Sequence, residues 1–589
     1  MSYILGLNSY HADSSAALIK DGKLVAAAEE ERFNRVKHWS GFPAEAVKYC
    51  LKAGGITARE LDYICINRNP RANLLKKIGY VIRRRPSLAS LKDRLRNEIK
   101  IGSIVDEFCE KIGVSKKELK AECKFVEHHR AHIASSFLVS TFKEAALISV
   151  DGFGDFLSCM TAMGRGNDID ILDTVPYPHS LGMFYLTVTQ YLGFPEYGAE
   201  YKVMGLAPYG KPKYMDEMQK IVLLQGDGGF TLGLEYFRHH DEGVEMSWKN
   251  TAPTIGCTYT NELVNLLGPA RQPGDETTQR HKDIAASLQA MYEEAFFAML
   301  NRLHDVTKAD NLCVAGGCAM NSVANGKIFD RTPFKDIYIQ SAAGDAGGAI
   351  GAAFYVWNTL LRNKRNFVMD HAYWGPEFSK VELGKELGAK NRELEENGCE
   401  ITEIEDEDEL CRKAARKIAD GKVVGWFQGR MEWGPRALGN RSIVCDPRRA
   451  DMKEILNLKI KRRESFRPFA PSILRESVRD WFETDYNVPF MLQVYQIKKE
   501  KRKEIPAVTH VNGSGRLQTL TEKQNPLYYN LIKEFEKITG VPIVLNTSFN
   551  ENEPVVCHPK EALDCFLRTK MDVLVLGNWV ITRESSRQS

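Results

Sequence analysis

Residues 145–163 read AALISVDGFGDFLSCMTAM: an apolar run, a Gly/Asp turn, and a second apolar run. That is a strand, a tight turn and a strand. The opening of the chain has the same form. Tyr3–Asn8 is an apolar run, Ser9–Ser15 a polar turn, AALIK follows, and Asp21-Gly22 turns the chain into LVAAAEE. The two units share few letters but one pattern. A hairpin met twice, with helical stretches between, predicts an internally duplicated α/β domain.

The chain has 589 residues, 43% hydrophobic and 27% charged, with a formal net charge of +3. That length predicts two large domains. The charge gives no reason to expect a nucleic-acid or membrane partner. The N-terminus MSYILGLNSYHADSS lacks the pattern of a signal peptide, and no apolar stretch reaches the roughly 18 residues that cross a bilayer. The 13 cysteines contain no CxxC pair, so we expect buried thiols in a reducing cytoplasm rather than disulfides or a zinc ribbon.

Residues 70–120 are rich in Lys and Arg and read helical: either a solvated face or an insertion whose charge meets phosphates. AGGCAMNSVANGKIF at 315–329 and SAAGDAGGAIGAAFYVW at 341–357 each read as a glycine turn opening a helix. Composition shifts near RNKRNFVMDHA, 362–372, which predicts domains at 1–364 and 365–589. Beyond it, Leu410–Asp420 reads as a helix, and VVGWFQG and GVPIVLNTSFN read as strands.

Chemistry concentrates in two places. In VEHHRAHIASSF, His128 and His132 are four apart; on a helix they share one face and can share a metal. Asp151 at the second hairpin and Asp345 in AAGDAGG are candidate carboxylate ligands. Two imidazoles plus carboxylates leave open positions, as in a catalytic site, without naming the metal. His129 points elsewhere. The second place is QGRMEWGPRALGNRSIVCDPR and RRESFRPFAPSIL, with Arg430, Arg436, Arg441, Lys461 and Arg467 among Gly, Pro and apolar residues. Arg516 in HVNGSGRLQTL and the NTSFN loop (Asn546, Thr547, Ser548) add donors. Such forks suit phosphate and carboxylate oxygens. No Walker A motif or convincing GxGxxG context occurs.

These stretches, together with GLNSYHADSSAAL, EEERFNRVKH, PHSLGMFY, EYKVMGLAPYG, GGCAMN and GDAGGA, resemble the NodU/CmcH carbamoyltransferase family over nearly the whole chain. The resemblance implies an N-terminal domain of the ASKHA (actin, sugar kinase, Hsp70) type and a C-terminal YrdC-like α/β domain. It implies that the C-terminal domain makes carbamoyl-adenylate from carbamoyl phosphate and ATP, with Mg, and that the N-terminal domain passes the carbamoyl group to a small-molecule hydroxyl. By the same resemblance, His128, His132, Asp345 and Asp151 hold iron or another divalent metal. Lys461, Arg436, Arg467, Arg516, Asn546 and Ser548 bind carbamoyl phosphate and nucleotide phosphates. Ser180, Lys202, Gly316, Gly317 and Asn321 lie around the adenylate. His11 is the expected general base, since an ordinary pKa near 6.5 suits proton abstraction at neutrality. Asp13 would orient it or touch the acceptor, and Lys37 would offset oxyanion charge. Hydrogenase-maturation and tRNA threonylcarbamoyl enzymes are the alternatives; the missing CxxC pairs and the modest charge speak against them. The acceptor's walls are expected in 70–120 and 215–280, and a homodimer is left open.

Overall fold

The apolar runs on either side of Asp21-Gly22 close into a hairpin because both turn residues take left-handed backbone, φ 47° and 77°, as a two-residue turn requires. Tyr3–Asn8, Ser15–Lys20 and Lys23–Glu29 form an antiparallel meander. Tyr63–Ile66 then adds parallel to the first strand, and Glu122–Phe125 parallel to that. The second hairpin repeats the plan. Glu144–Gly154, Leu157–Arg165 and Asp168–Pro176 form the meander. Asn311–Ala315 adds in parallel beside Glu144–Gly154, and Asp336–Tyr338 parallel to that. The two five-stranded sheets therefore have the same strand order.

This computed structural model describes residues 1–84, 104–241, 244, 246–247 and 252–583. The chain separates into two compact units, Met1–Met369 and Asp370–Ser589, a division inside the 362–372 window and slightly beyond the expected 364/365 boundary. Each unit is mixed α/β.

In the first unit, helix Gly347–Phe354 packs on the first sheet, helix His128–Phe137 packs on the second, and the two helices pack on each other. Small residues make this possible. A Cβ on Gly6 would lie 1.9 Å from the Ala349 carbonyl oxygen, and one on Gly351 would lie 1.8 Å from that of Ala131. Every residue of His128–Phe137 except Arg130 is buried, as expected of a helix between two layers. Arg365 holds its C-terminal end, donating to the carbonyls of Phe137 (2.8 Å), Ser140 (2.7 Å) and Phe142 (2.7 Å). Within the basic 70–120 stretch, Leu74–Arg84 and Ile104–Ile112 are helical; residues 85–103 lie outside the described residues.

The second unit is built on a nine-stranded mixed sheet. Its centre runs Val424–Phe427, Arg441–Cys445, Ile543–Ser548, Ala470–Leu474 and Ser514–Leu520. Helices Glu407–Ala419 and Pro526–Thr539 pair with each other, as do Lys380–Glu396 and Pro559–Arg568. None of the 13 cysteines forms a disulfide, and among the described residues no helix is long and apolar enough to cross a membrane.

Candidate metal centre and anion-binding site

His128 and His132 stand one turn apart on the buried helix, and their Nε2 atoms are 3.0 Å apart. Both face Asp151 Oδ2 at 3.1 Å. Asp345 Oδ1 lies 3.6 Å from the first and 3.4 Å from the second. One ligand atom from each of the four residues falls within 4.8 Å of the others. The hairpin holds Asp151 in this pose: its Oδ1 accepts the N–H of Gly152 at 2.8 Å and of Gly317 at 3.1 Å, which leaves Oδ2 to face the imidazoles. Gly154 gives the His128 ring its space, since a Cβ there would come within 2.0 Å of the ring.

These residues fit a divalent metal. Asp345 Oδ1 is buried without a hydrogen-bond partner, and two carboxylates face two imidazoles in a confined space. Burial and the charge of Asp151 push the Asp345 carboxyl up. Burial opposes charge on His132, yet the facing carboxylates of Asp151 and Asp345 lift it to about 9. Burial likewise opposes ionisation of Asp151, but the two imidazoles hold its pKa well below the carboxylate range. A cation among the four relieves the crowding that these opposed shifts record.

His11 lies against this group. Its ring stacks on His128 at 4.7 Å, and its Nδ1 is 3.9 Å from Asp345 Oδ2. The expectation of an ordinary pKa needs correction: burial, then His128 and Arg68, push the imidazole well below 6.5. Asp13 pairs with His38 instead, Oδ1 to Nδ1 at 2.8 Å. Burial opposes charge on His38, but Asp13 outweighs it and raises His38 to about 9. Lys37, beside it in the chain, is exposed. His129, as expected, turns away, its Nδ1 2.9 Å from Ser149 Oγ.

Of the residues expected around the adenylate, three surround Asp151. The Ser180 hydroxyl donates to the Asp151 carbonyl at 2.9 Å and accepts the Met183 N–H at 3.0 Å, capping the helix Leu181–Tyr191. Gly316 has φ 91°, and a Cβ there would meet the Val150 carbonyl oxygen at 2.2 Å; a Cβ on Gly317 would meet Asp151 Oδ1 at 2.7 Å. Asn321 is engaged elsewhere. Its amide pairs with that of Gln289 through two 3.1 Å bonds, and Gln289 in turn bonds Tyr185 at 2.9 Å and Glu293 at 3.0 Å. Nothing in the sequence marked Gln289 or Glu293, because they lie on the long helix Gln279–Thr307 with no motif around them. Lys202 reaches Glu196 at 3.4 Å and lies over the Phe194 ring.

In the second unit, Lys461 is buried at 1% exposure. Its Nζ donates to oxygens of Ser548 and Asn550: the Ser548 carbonyl at 2.5 Å, the Asn550 carbonyl at 2.8 Å and Asn550 Oδ1 at 2.7 Å. Burial, then Arg463 and Arg467, push its pKa well below the lysine range. Arg516 is pushed well below its range by burial and by Arg436, Arg463 and Arg467. Its Nε is buried without a hydrogen-bond partner. Arg463 and Arg467 thus act on both buried cations and Arg436 on Arg516, a concentration of positive charge that suits a polyanion. Arg463 was missed in the sequence, hidden in the run Lys461–Arg463. Two other arginines of this region are structural. Arg441 is fully buried and donates to the carbonyls of Gln428, Gly429, Pro376 and Asn440. Arg430 donates to the carbonyls of Trp374 and Gly375. Asn546 Nδ2 bonds within the sheet, to Ala437, Ser472 and Gln518. Ser548 Oγ bonds Asn550 Oδ1 at 2.8 Å, beside Lys461.

Residues 3–354 match the family described as Carbamoyltransferase N-terminus, and residues 415–583 match Carbamoyltransferase C-terminus. The chain is 40% identical to the uncharacterized protein sll1178 of Synechocystis sp. over 100% of its own length and 98% of that protein. It is 38% identical to the nodulation protein NolNO of Sinorhizobium fredii, over 98% of this chain and 80% of that one. Among solved structures, T. kodakarensis HypF overlaps 60% of the chain and 47% of its own at 13% identity and a TM-score of 0.30, too slight a likeness to argue from. With both halves matched and such relatives along nearly its full length, this chain belongs to the carbamoyltransferase family, enzymes that transfer carbamoyl groups.

Proposed function

We propose that the chain is an ATP-dependent O-carbamoyltransferase that acts on a small-molecule hydroxyl. In this reading the first unit is an ASKHA-type transfer domain and the second a YrdC-type activation domain. The observation that carries it is a cationic cluster: Arg436, Arg463 and Arg467 act on the buried Arg516, and Arg463 and Arg467 act on the buried Lys461 as well. A carbamoyltransferase that used only carbamoyl phosphate would need to bind one phosphate. A set this cationic favours carbamoyl phosphate and the triphosphate of ATP.

Carbamoyl phosphate loses its phosphate to water, and the carbamate oxygen attacks the α-phosphorus of ATP. Pyrophosphate leaves, and carbamoyl-adenylate forms. The arginines neutralise the phosphate oxygens in both steps, and Lys461 holds the backbone at Ser548 and Asn550. Activation is needed because carbamate is a poor electrophile, whereas the adenylate has AMP as its leaving group. In the first unit the acceptor oxygen attacks the carbamoyl carbon, its proton passes to His11, and AMP departs. A divalent metal held by His128, His132, Asp151 and Asp345 would supply Lewis-acid polarisation of the carbonyl. Ser180 and Gly317 fix the pose of Asp151, and Gly316 lets the backbone approach Val150 beside it. Lys37 is exposed, and Asp13 serves His38 rather than His11.

The test is mass spectrometry of acceptor-free mixtures of enzyme, ATP and carbamoyl phosphate. Carbamoyl-AMP formed by the wild type and absent with Arg516→Met supports the reading. Carbamoyl transfer that proceeds to an acceptor without ATP sinks it.

A further inference from the structure

Asp155 takes no part in the chemistry above, yet its side chain is only 2% exposed and its bonds run both to His128 and to the loop at 67–73. Oδ2 accepts two backbone N–H groups, from His128 at 2.9 Å and from Asn69 at 2.8 Å. Its carbonyl accepts Asn73 Nδ2 at 2.9 Å, and Arg68 Nε is 4.0 Å from Oδ1.

His128 is therefore gripped at both ends by one hairpin. Asp151 faces its ring at 3.1 Å, Asp155 takes its N–H at 2.9 Å, and Gly154 lies against the ring between them. The N–H of His128 is the first of its helix and has no partner within the helix, so a carboxylate there makes a charge-assisted bond at the positive end of the helix dipole. The second bond leads outward. Asn69 and Asn73 lie in the loop between strand Tyr63–Ile66 and helix Leu74–Arg84, where the 70–120 segment begins.

We propose that Asp155 is a positioning residue: it holds His128 in ligand geometry and couples the loop at 67–73 to it. The inference rests on the metal reading above.

Three variants of the full-length chain separate the possibilities. Asp155→Ala removes both bonds. Asp155→Asn keeps an acceptor oxygen and loses the charge. Asn73→Ala removes only the bond to the Asp155 carbonyl. Metal-free protein is titrated with Zn(II) or Fe(II) alone, anaerobically, against a chelator, and amide exchange is followed on a peptide spanning 126–134. Asp155→Ala is expected to weaken metal binding by about 10- to 100-fold, the usual effect of losing a group that orients a ligand, and to lose exchange protection at His128. Asp155→Asn should recover most of both, and Asn73→Ala should bind metal as the wild type does. Wild-type affinity in Asp155→Ala overturns the proposal. So does an equal loss in Asp155→Ala and Asn73→Ala, which would mark a general loosening of the hairpin, or an equal loss in Asp155→Asn. A wild-type chain that takes up no metal defeats the metal reading instead. The exchange data then still decide: unchanged protection in Asp155→Ala overturns the grip on His128 as well.

Discussion

Gly154→Ala is the smallest change that should dismantle the metal centre. Its Cβ would lie 2.0 Å from Cδ2, 2.1 Å from Cγ and 2.5 Å from Nε2 of His128. Carbon atoms rest at about 3.5 Å or more, so the ring or the strand must yield by roughly 1.5 Å. The ring has little room to retreat, with His11 stacked at 4.7 Å on one side and the His132 ring at 4.5 Å. Ligand atoms must hold within about 0.2 Å of their ideal distances to keep a metal site intact. A displacement several times larger should weaken metal affinity by about 100-fold or more. The cost in stability should be only about 1–3 kcal/mol, typical of overpacking, so the variant should fold. Metal per chain after loading and dialysis, chelator competition and a thermal melt would be measured together. A folded Gly154→Ala chain with wild-type metal content and affinity would refute the placement of His128 as a ligand.

Arg365→Ala strands the carbonyls of Phe137, Ser140 and Phe142 and should cost the first unit about 2–4 kcal/mol in urea unfolding, with Arg365→Lys unable to restore all three bonds. Glu30 accepts the N–H groups of Glu45 and Ala46, and burial raises its carboxyl from 4.5 to about 7. A raised folded pKa means stability present below 4.5 and lost as pH climbs through 7, up to about 3 kcal/mol; Glu30→Gln should lack that slope, and an identical slope would show that burial does not govern Glu30. Arg516→Met removes one of the crowded guanidinium groups, so the ligand-free second unit should melt no lower than wild type. Inorganic phosphate should raise the melting temperature of the wild type and leave the variant unmoved.

Both hairpins were legible in the sequence, because apolar runs and Gly/Asp turns are local signals. So was the HxxxH pair, since four residues on a buried helix bring the imidazoles to one face. The sandwich of two helices between matched sheets was not legible: it depends on contacts such as Ser15 Oγ to the Ala346 carbonyl at 2.9 Å, which join opposite ends of the unit. Asp151 and Asp345 were named from their turns, but their convergence needed the fold. Side chains that act through backbone groups escaped notice. Asp155 looks like any turn aspartate until the His128 N–H is found against it, and the pairing of Asn321 with Gln289 joins a glycine-turn motif to a featureless helix. Asp13 stands two residues from His11 in sequence, yet the fold pairs it with His38. A left-handed backbone at Asp13, φ 54°, accompanies its pairing with His38. In the second unit the arginine-rich stretches announced an anion site, yet only the fold separates Arg441, which donates to four backbone carbonyls, from Arg516, whose neighbours are other guanidinium groups.

The central claim is that this chain activates its carbamoyl donor with ATP, and pyrophosphate release tests it most directly. Purified, metal-loaded enzyme would be given ATP with and without carbamoyl phosphate, with candidate hydroxyl acceptors present in parallel reactions. The account predicts pyrophosphate release that requires carbamoyl phosphate and is lost in Arg436→Ala. Release of carbamoylated product with no pyrophosphate formed would contradict it.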